Sequence, residues 1–378
     1  MSSLRKTLSA IPFIKVFSSI KITVICLFLL FVLTFWGTID QIQNGLYHAQ
    51  RQFFYSGFFM AGGFLPFPGA KLVLFILFFN LVCVAITRFV YQWDHSGICI
   101  IHMGLLIYFI SAYVTFRVGV DSNLNLLEGE GSNCSTAYHD WELSVWKDSR
   151  DNQRRVVAYD TESFQASPKL PFEEFGFNVF VKTYYLNAEA YVNPKSKSKD
   201  ILNQSGISSL TSVKFNKEPE KNFPGGVFEI NDGKGFRQSL LLYGKEVKPA
   251  QLTIGQETYN FILRRKKFPL PFTLTLKDFE IEVHPGTEVA RSYKSKVLIE
   301  NDKLSRDVII YMNHPLRYKD FTLYQASYAI DAKGREYSTL AVVKNAGRIL
   351  PYVASLLVFL GLVTHFLMMA FNLNKVRA

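Results

Sequence analysis

The chain has 378 residues, a formal net charge of +11 and 49% hydrophobic residues, which is long enough for two or more domains. Its lysines and arginines are dispersed, and no helix-turn-helix, zinc-finger or RNA-binding signature accompanies them, so the composition argues against a nucleic-acid-binding protein. No phosphate-binding glycine loop, nucleophile elbow or His-Glu-x-x-His helix is present either, so no enzyme class is indicated by motif.

Four apolar blocks dominate the hydropathy pattern. They cover residues 22–39, 72–89, 98–116 and 349–371, and each approaches the roughly 20 residues that a helix needs to cross a bilayer. The first block follows several basic residues and has an alternative interpretation as a secretory signal, but it lacks a clear small-residue cleavage site. The pattern therefore predicts four transmembrane helices.

The distribution of basic residues predicts the orientation of these spans. The N-terminal tail (1–21), Arg88, and Lys375 with Arg377 in the segment 345–378 are cytoplasmic if the N-terminus is inside. The stretch 117–344 then lies on the outer face. Four cations oppose this bias because they flank spans on the outer side: Lys71, Arg117, Lys344 and Arg348.

The segment 40–70, between the first two spans, is rich in aromatic residues and contains Gly62-Gly63 and the turn 66–69. Aromatic belts and turn residues are typical of chain lying at the membrane interface. We therefore predict an interfacial loop, with a cover or wall for an apolar ligand as the alternative.

Beyond Arg117 the periodicity changes from helical to two-residue alternation. Candidate strands are 177–185, 272–276, 279–283 and 296–300, and candidate turns are 224–226, 231–233, 284–286 and 301–302. The pattern predicts a large, mainly antiparallel β domain (117–344), sandwich-like or a half-barrel, with a mobile loop at 194–200. Cys134 is alone in this domain, so internal disulfides do not hold it.

His102 is the most informative residue because it lies inside the third apolar block. An ionisable ring at that depth is costly, and imidazole is also a standard axial ligand of haem iron. His365 lies in the fourth block, and by residue count both histidines are expected at similar depth from the cytoplasmic side. A helix-to-helix hydrogen bond is the alternative role for either one, and it is the default for Asn80 in the second block.

The remaining candidates have mainly structural interpretations. His314 is expected in a strand-to-turn transition, and His48, His139 and His284 also lie outside the spans. The basic run 264–267 is expected in a solvated turn, with attraction of carboxylates such as propionates as the alternative. Cys-x-x-Cys-His is absent, so the chain is not itself a c-type cytochrome.

Several short segments occur in an order that resembles the ResB-like (CcsB) family of the system II cytochrome c biogenesis machinery. They are Pro-Gly and Asn around the second span (65–69 and 80–81), His-x-Gly in the third (102–104), and the segments 127–130, 312–328 and 345–352. Together with three spans, a large outer domain and a final span, they cover nearly the whole chain.

This resemblance implies a protein of the bacterial cytoplasmic membrane that carries haem b as its transported substrate. His102 matches the family's haem-associated histidine, so the resemblance implies that it is an axial ligand of the haem iron; His365 is a possible second ligand. The implied partners are a CcsA-type membrane protein with a tryptophan-rich haem motif and an apocytochrome c. Since this chain lacks that motif, we expect a subunit of a haem lyase complex that is not a catalyst alone.

Two other functional classes remain as alternatives. One is a membrane-anchored envelope scaffold whose β domain binds a partner protein and whose histidine is only a helix contact. The other is a transporter of a different hydrophobic ligand.

Overall fold

The computed structural model describes residues 11–89, 93–148, 155–192, 201–287, 289–331 and 333–377. The chain divides into two compact units. The helical unit comprises Met1–Val120 and Lys344–Ala378, and the β unit comprises Asp121–Val343. Arg5 and Lys6 of the predicted tail and the predicted loop 194–200 lie outside the described residues.

Among these described residues, four helices are long and apolar enough to cross a membrane, as predicted: Ile20–Asn44, Ala70–Thr87, Ser96–Val118 and Leu350–Phe371. The helices of the chain are α1 (Pro12–Phe17), α2 (Ile20–Asn44), α3 (Leu46–Ala49), α4 (Ala70–Thr87), α5 (Ser96–Val118), α6 (Ser163–Ala166) and α7 (Leu350–Arg377). Their apolar side chains face outwards to a large extent, which suits a lipid environment.

Helices α5 and α7 pack closely because glycines lie where they meet. A Cβ atom at Gly97 would lie 2.5 Å from the backbone nitrogen of His365, and one at Gly361 would lie 2.7 Å from that of Ile101. A Cβ atom at Gly104 would lie 2.7 Å from the Cγ2 atom of Val358 in α7. Small residues at such an interface allow two helix backbones to approach, which is a common way of packing helices within a membrane.

Asn80 connects α4 to the start of α2. Its side-chain amide donates to the carbonyl oxygens of Phe17 (2.5 Å) and Ser19 (3.1 Å). Its oxygen accepts from the hydroxyl of Thr23 at 2.7 Å. Asn80 therefore has the interhelical hydrogen-bonding role that the sequence predicted as its default.

The aromatic segment between α2 and α4 is more ordered than the predicted interfacial loop. It contains α3, a π-helix (Gln50–Tyr55) and a hairpin of β1 (Phe58–Ala61) and β2 (Leu65–Pro68). The ring of Trp36 packs against Phe53, Phe59 and Phe67, with centroid distances of 5.5, 5.7 and 5.8 Å. The prediction of a loop is wrong here because these rings supply a core for the segment.

The β unit contains antiparallel sheets. Its strands are β3 (Val120–Leu127), β4 (Gly131–Lys147), β5 (Val156–Asp160), β6 (Lys169–Phe172), β7 (Phe177–Tyr185), β8 (Ala188–Tyr191), β9 (Ile201–Leu202), β10 (Ser209–Ser212), β11 (Gly225–Asn231), β12 (Arg237–Tyr243), β13 (Ala250–Ile254), β14 (Glu257–Val283), β15 (Ala290–Asn301), β16 (Leu304–Tyr311), β17 (Leu316–Tyr318), β18 (Phe321–Ile330) and β19 (Glu336–Lys344). Most of the described strand pairs are antiparallel, including β14 with both β4 and β15, whereas β9 and β12 are parallel.

Two sheets carry most of these strands. The larger has the order β16-β15-β14-β4-β3-β19-β18-β17, with β5 on β4 and β13 on β14; the smaller has the order β6-β7-β11-β12-β9. The first part of β14 and the end of β4 pack against the smaller sheet around Phe228 and Phe261, which makes this part a sandwich. The second part of β14 encloses a separate core with β15 to β19, around Leu274 and Leu323.

The strand prediction is confirmed in type and corrected in extent. The predicted strand 177–185 is β7, and 296–300 lies within β15. Segments 272–276 and 279–283 belong to one long strand, β14, rather than to two strands. The turns at 231–233, 284–286 and 301–302 are present, but 224–226 is not a turn, since Gly225 and Gly226 begin β11 and pair with β12.

Candidate functional site

His102 lies on α5, six residues after its first residue, or about 9 Å along the helix axis. Its Nδ1 atom is 2.8 Å from the carbonyl oxygen of Ile98, one turn earlier. A carbonyl oxygen only accepts, so Nδ1 carries the hydrogen and donates it. In the neutral imidazole the Nε2 atom then keeps its lone pair, and in the described part of the chain it has no hydrogen-bond partner.

This arrangement fits a metal ligand. A metal-binding histidine usually donates its other ring N–H to a carbonyl or carboxylate, which fixes the tautomer and the ring orientation. Ile98 supplies that carbonyl from the same helix. The half-buried ring of His102 is also held by Phe89, whose ring centroid is 4.7 Å away in an edge contact.

His365 has a different position from the predicted one. Its backbone lies against Gly97, and Gly97 precedes His102 by five residues. On an α-helix this separation is about 7.5 Å along the axis and about 140° around it. His102 and the backbone of His365 therefore lie at different depths, and His365 contacts a different face of α5 from the one that carries His102. The expectation of similar depth is wrong. The role of His365 as a second ligand stays a prediction.

The donor set fits a haem better than a bare metal ion. Among the described residues, no group of three or more His, Cys, Asp or Glu side chains lies close enough to hold a metal ion. A haem iron takes its equatorial ligands from the porphyrin and needs only one or two axial side chains. His102 can supply one axial nitrogen within an apolar span.

Other predicted candidates have structural roles in the described coordinates. His314 stacks on Tyr311 with ring centroids 4.0 Å apart, next to Asn313 in a left-handed turn, so it lies in the predicted strand-to-turn transition. The Nδ1 atom of His48 lies 3.2 Å from the Asp40 carboxylate. Cys134 lies half-buried in β4.

The basic run 264–267 is not a solvated turn, because it lies inside β14. Arg264 donates to the buried carboxylate of Glu142 at 2.9 Å, and Lys266 lies 2.6 Å from Asp160. The guanidinium of Arg265 lies 4.3 Å above the ring of Trp141. These cations are engaged within the sheet, which an alternation pattern alone does not reveal.

The β unit also contains a cavity of about 500 Å³ that the sequence did not predict. Its lining includes Phe164, Tyr184, Asn187 and Phe215. Burial raises the pKa of Tyr184 to about 12, so this phenol is neutral at physiological pH. No sequence motif marks the cavity, since its residues come from separate strands and loops.

The fold defines a class of protein with four apolar helices of membrane-spanning length and a large antiparallel β unit between the third and fourth. Within the β unit, residues 225–334 match the sequence model of the ResB-like family. The chain is also 34% identical over 104 residues to Protein NrfI of Wolinella succinogenes. These matches confirm the predicted resemblance to the ResB-like family.

Both matches cover only part of the proteins concerned. The alignment with NrfI includes 27% of this chain and 11% of NrfI. The family match contains the segment 312–328, but the segments around Asn80 and His102 lie outside it. The assignment of His102 therefore depends on its geometry and on the motif resemblance.

Proposed function

We propose that this chain is a haem-handling membrane subunit of the cytochrome c biogenesis machinery. The match of residues 225–334 to the ResB-like family and the similarity to NrfI support this role. The observation that carries it is the Nδ1–H bond from His102 to Ile98, because it leaves Nε2 as an axial ligand for haem iron inside an apolar helix.

In this proposal haem is a transported substrate. The chain spans the bacterial cytoplasmic membrane with its β unit on the periplasmic side, and His102 holds haem from the cytoplasmic half. A CcsA-type partner then receives the haem at the outer face, where it is attached through thioether bonds to apocytochrome c. The chain is one subunit of this haem lyase complex and does not complete ligation alone.

The second axial ligand is proposed to come from the partner in preference to His365. His365 lies on the Gly97 side of α5, where the backbones of α5 and α7 are in contact. His102 lies about 140° away around α5. A ligand from another protein can approach the His102 face without separating this helix pair.

The test is haem retention by the full chain purified with its CcsA-type partner. We expect His102→Gly to lower the Soret absorbance at least about tenfold, since it removes an iron ligand outright. Added imidazole should restore the band, because it fits the space left by the side chain. His365→Gly is the second arm, and His48→Gln, outside the spans, is the control.

Each outcome has a definite interpretation. Loss of the band in His102→Gly with retention in His365→Gly supports His102 with a ligand from the partner. Loss in both variants, each restored by imidazole, assigns both ligands to this chain. Unchanged haem content in His102→Gly would falsify the haem role and favour an envelope scaffold or a transporter of another ligand.

A further inference from the structure

His102 begins a row of rings along one face of α5. Phe109 and Phe116 follow it at intervals of seven residues, which is close to two helical turns, so all three project from nearly the same side of the helix. Phe116 lies about 21 Å from His102 along the helix axis. The row therefore extends from the site of His102 to the opposite end of the span.

Each ring in this row has an aromatic partner from outside α5. Phe89 lies against His102 at 4.7 Å between centroids, Phe78 against Phe109 at 5.8 Å, and Tyr55 against Phe116 at 5.5 Å. We call these six side chains the aromatic stripe. Phe116 and Tyr55 are exposed and the other four are half-buried, so the stripe presents ring surface to its surroundings.

The end of the stripe far from His102 carries positive charge. The ammonium of Lys71, at the start of α4, lies 5.0 Å above the ring of Phe116. Arg117 ends α5 nearby, and Arg348 precedes α7, where Gly347 packs against Val114 of α5.

These cations have no acidic partner among the described residues. Neither Lys71 nor Arg117 forms an ion pair there, and the buried Nη1 atom of Arg348 has no hydrogen-bond partner. They also belong to the group that opposes the positive-inside rule, so topology does not explain them. Pairing with lipid phosphates is one explanation for such cations, but it does not explain why three pairs of rings lie at regular intervals between them and His102.

We propose that the aromatic stripe is a surface along which haem moves from His102 towards the outer face, and that Lys71 pairs with a haem propionate at its outer end. The inference rests on the proposed haem role of His102. Haem is flat and apolar on both faces, which suits contact with aromatic rings. Its carboxylates are anionic, which suits the ammonium of Lys71, since no acidic partner of Lys71 lies among the described residues. The occupant is identified by this combination, since a lipid acyl chain has no planar face to offer.

The test measures delivery and retention separately in cells that contain the full chain and its CcsA-type partner. Delivery is the yield of haem-stained cytochrome c per amount of membrane-inserted chain, and retention is the Soret absorbance of the purified protein. We expect Lys71→Met to lower delivery roughly tenfold, the size of one charge-assisted contact. Retention should stay unchanged, and Lys71→Arg should restore delivery.

The contribution of the aromatic rings to delivery is tested with matched variants on neighbouring helices. Phe109→Leu removes the middle ring of the stripe and should lower delivery about threefold while retention persists. Phe31→Leu removes an exposed ring of α2 that is not part of the aromatic stripe and should leave delivery unchanged. Lys21→Met, at the opposite end of the spans, is the matched control for the charge.

Two results would overturn the inference. If Lys71→Met delivers haem as the wild type does, Lys71 interacts only with lipid or solvent. If Lys71→Met instead loses the Soret band as His102→Gly does, Lys71 belongs to the primary site and not to a path. Failure of the proposed function is separate, because it appears as unchanged retention in His102→Gly whatever Lys71 does.

Discussion

Glu142 in the β unit and His102 in the helical unit use their polar atoms differently. In the β unit, the buried Glu142 carboxylate accepts hydrogen bonds from both Ser144 (2.7 Å) and Arg264 (2.9 Å). In the helical unit, Asn80 uses both ends of its side-chain amide on neighbouring chain. His102 uses one ring nitrogen on its own helix and keeps the other.

Polar groups of the first kind stabilise the fold, whereas a group of the second kind can bind a ligand. A fully satisfied polar group in a low-dielectric interior holds elements in place and has little capacity left for a ligand. A nitrogen that keeps its lone pair beside apolar rings is available to a metal. In the proposed function the β unit supplies buried polar contacts that stabilise the fold, and the helical unit supplies the nitrogen that binds haem iron.

The largest expected effect comes from removing a buried carboxylate in the β unit. Glu142→Gln should lower the free energy of unfolding of this unit by about 3 kcal/mol, because it leaves the Arg264 charge largely buried without its counterion. The value is at the lower end of the usual range, since the Arg264 side chain keeps 21% of its surface exposed. Hydrogen exchange of the β4 and β14 amides in the full chain measures it.

The control for this variant is Glu218→Gln. Glu218 pairs with Lys221 at 2.8 Å on the surface, and an exposed pair of this kind is screened by water. Its loss should leave the exchange rates unchanged. Equal exchange in the two variants would show that the Glu142 contact does not stabilise the unit.

A smaller effect is expected at the helix pair. Gly97→Ala places a Cβ atom 2.5 Å from the backbone of His365, which forces α5 and α7 apart and should cost about 2 kcal/mol. Gly57→Ala is the matched control, since no atom lies within 4 Å of its new Cβ. A lower midpoint of thermal unfolding in detergent for Gly97→Ala alone is the expected result, and equal midpoints would contradict close helix packing.

The contacts of Asn80 should contribute less. Asn80→Leu removes its hydrogen bonds to Phe17, Ser19 and Thr23 at nearly constant volume, and we expect a loss of about 1 kcal/mol. Thr34→Val is the comparison, because Thr34 donates only to Leu30 of its own helix. A shift of the same size in both variants would mean that Asn80 does not connect α2 and α4.

The smallest effect is a pH dependence in the β unit. Burial, and then the positive charge of Arg265, lower the pKa of His139 below its usual value. The unfolded chain therefore binds a proton more readily than the folded one just below about pH 6.5, so the stability present at higher pH decreases as the pH falls.

The measurement compares the unfolding midpoint of the β unit at about pH 7.5 and about pH 5.5, above the range in which carboxylates titrate. We expect a lower midpoint at the acidic pH. His139→Gln should reduce this difference, because glutamine does not titrate. A midpoint that rises on acidification would contradict the assigned sign.

The sequence predicted the long helices well because a span needs only length and uniform apolarity, and both are local properties. It predicted less where packing decides the structure. The segment 40–70 becomes a π-helix and a hairpin because its aromatic side chains pack around Trp36. Likewise, β14 continues through the basic run 264–267, where three of the four cations contact Glu142, Asp160 and Trp141 on neighbouring strands.

By itself the sequence determined the four apolar helices, the antiparallel character of the β unit, the ResB-like resemblance and the choice of His102 as a candidate ligand. Only the tertiary structure decided which way His102 faces, which of its nitrogens is occupied, and that His365 lies elsewhere. The physical reason is that hydropathy and motif order are properties of the chain, whereas a free nitrogen depends on distances. The distances are those from His102 to Ile98 and Phe89, and those between α5 and α7 at Gly97. They exist only in the folded chain.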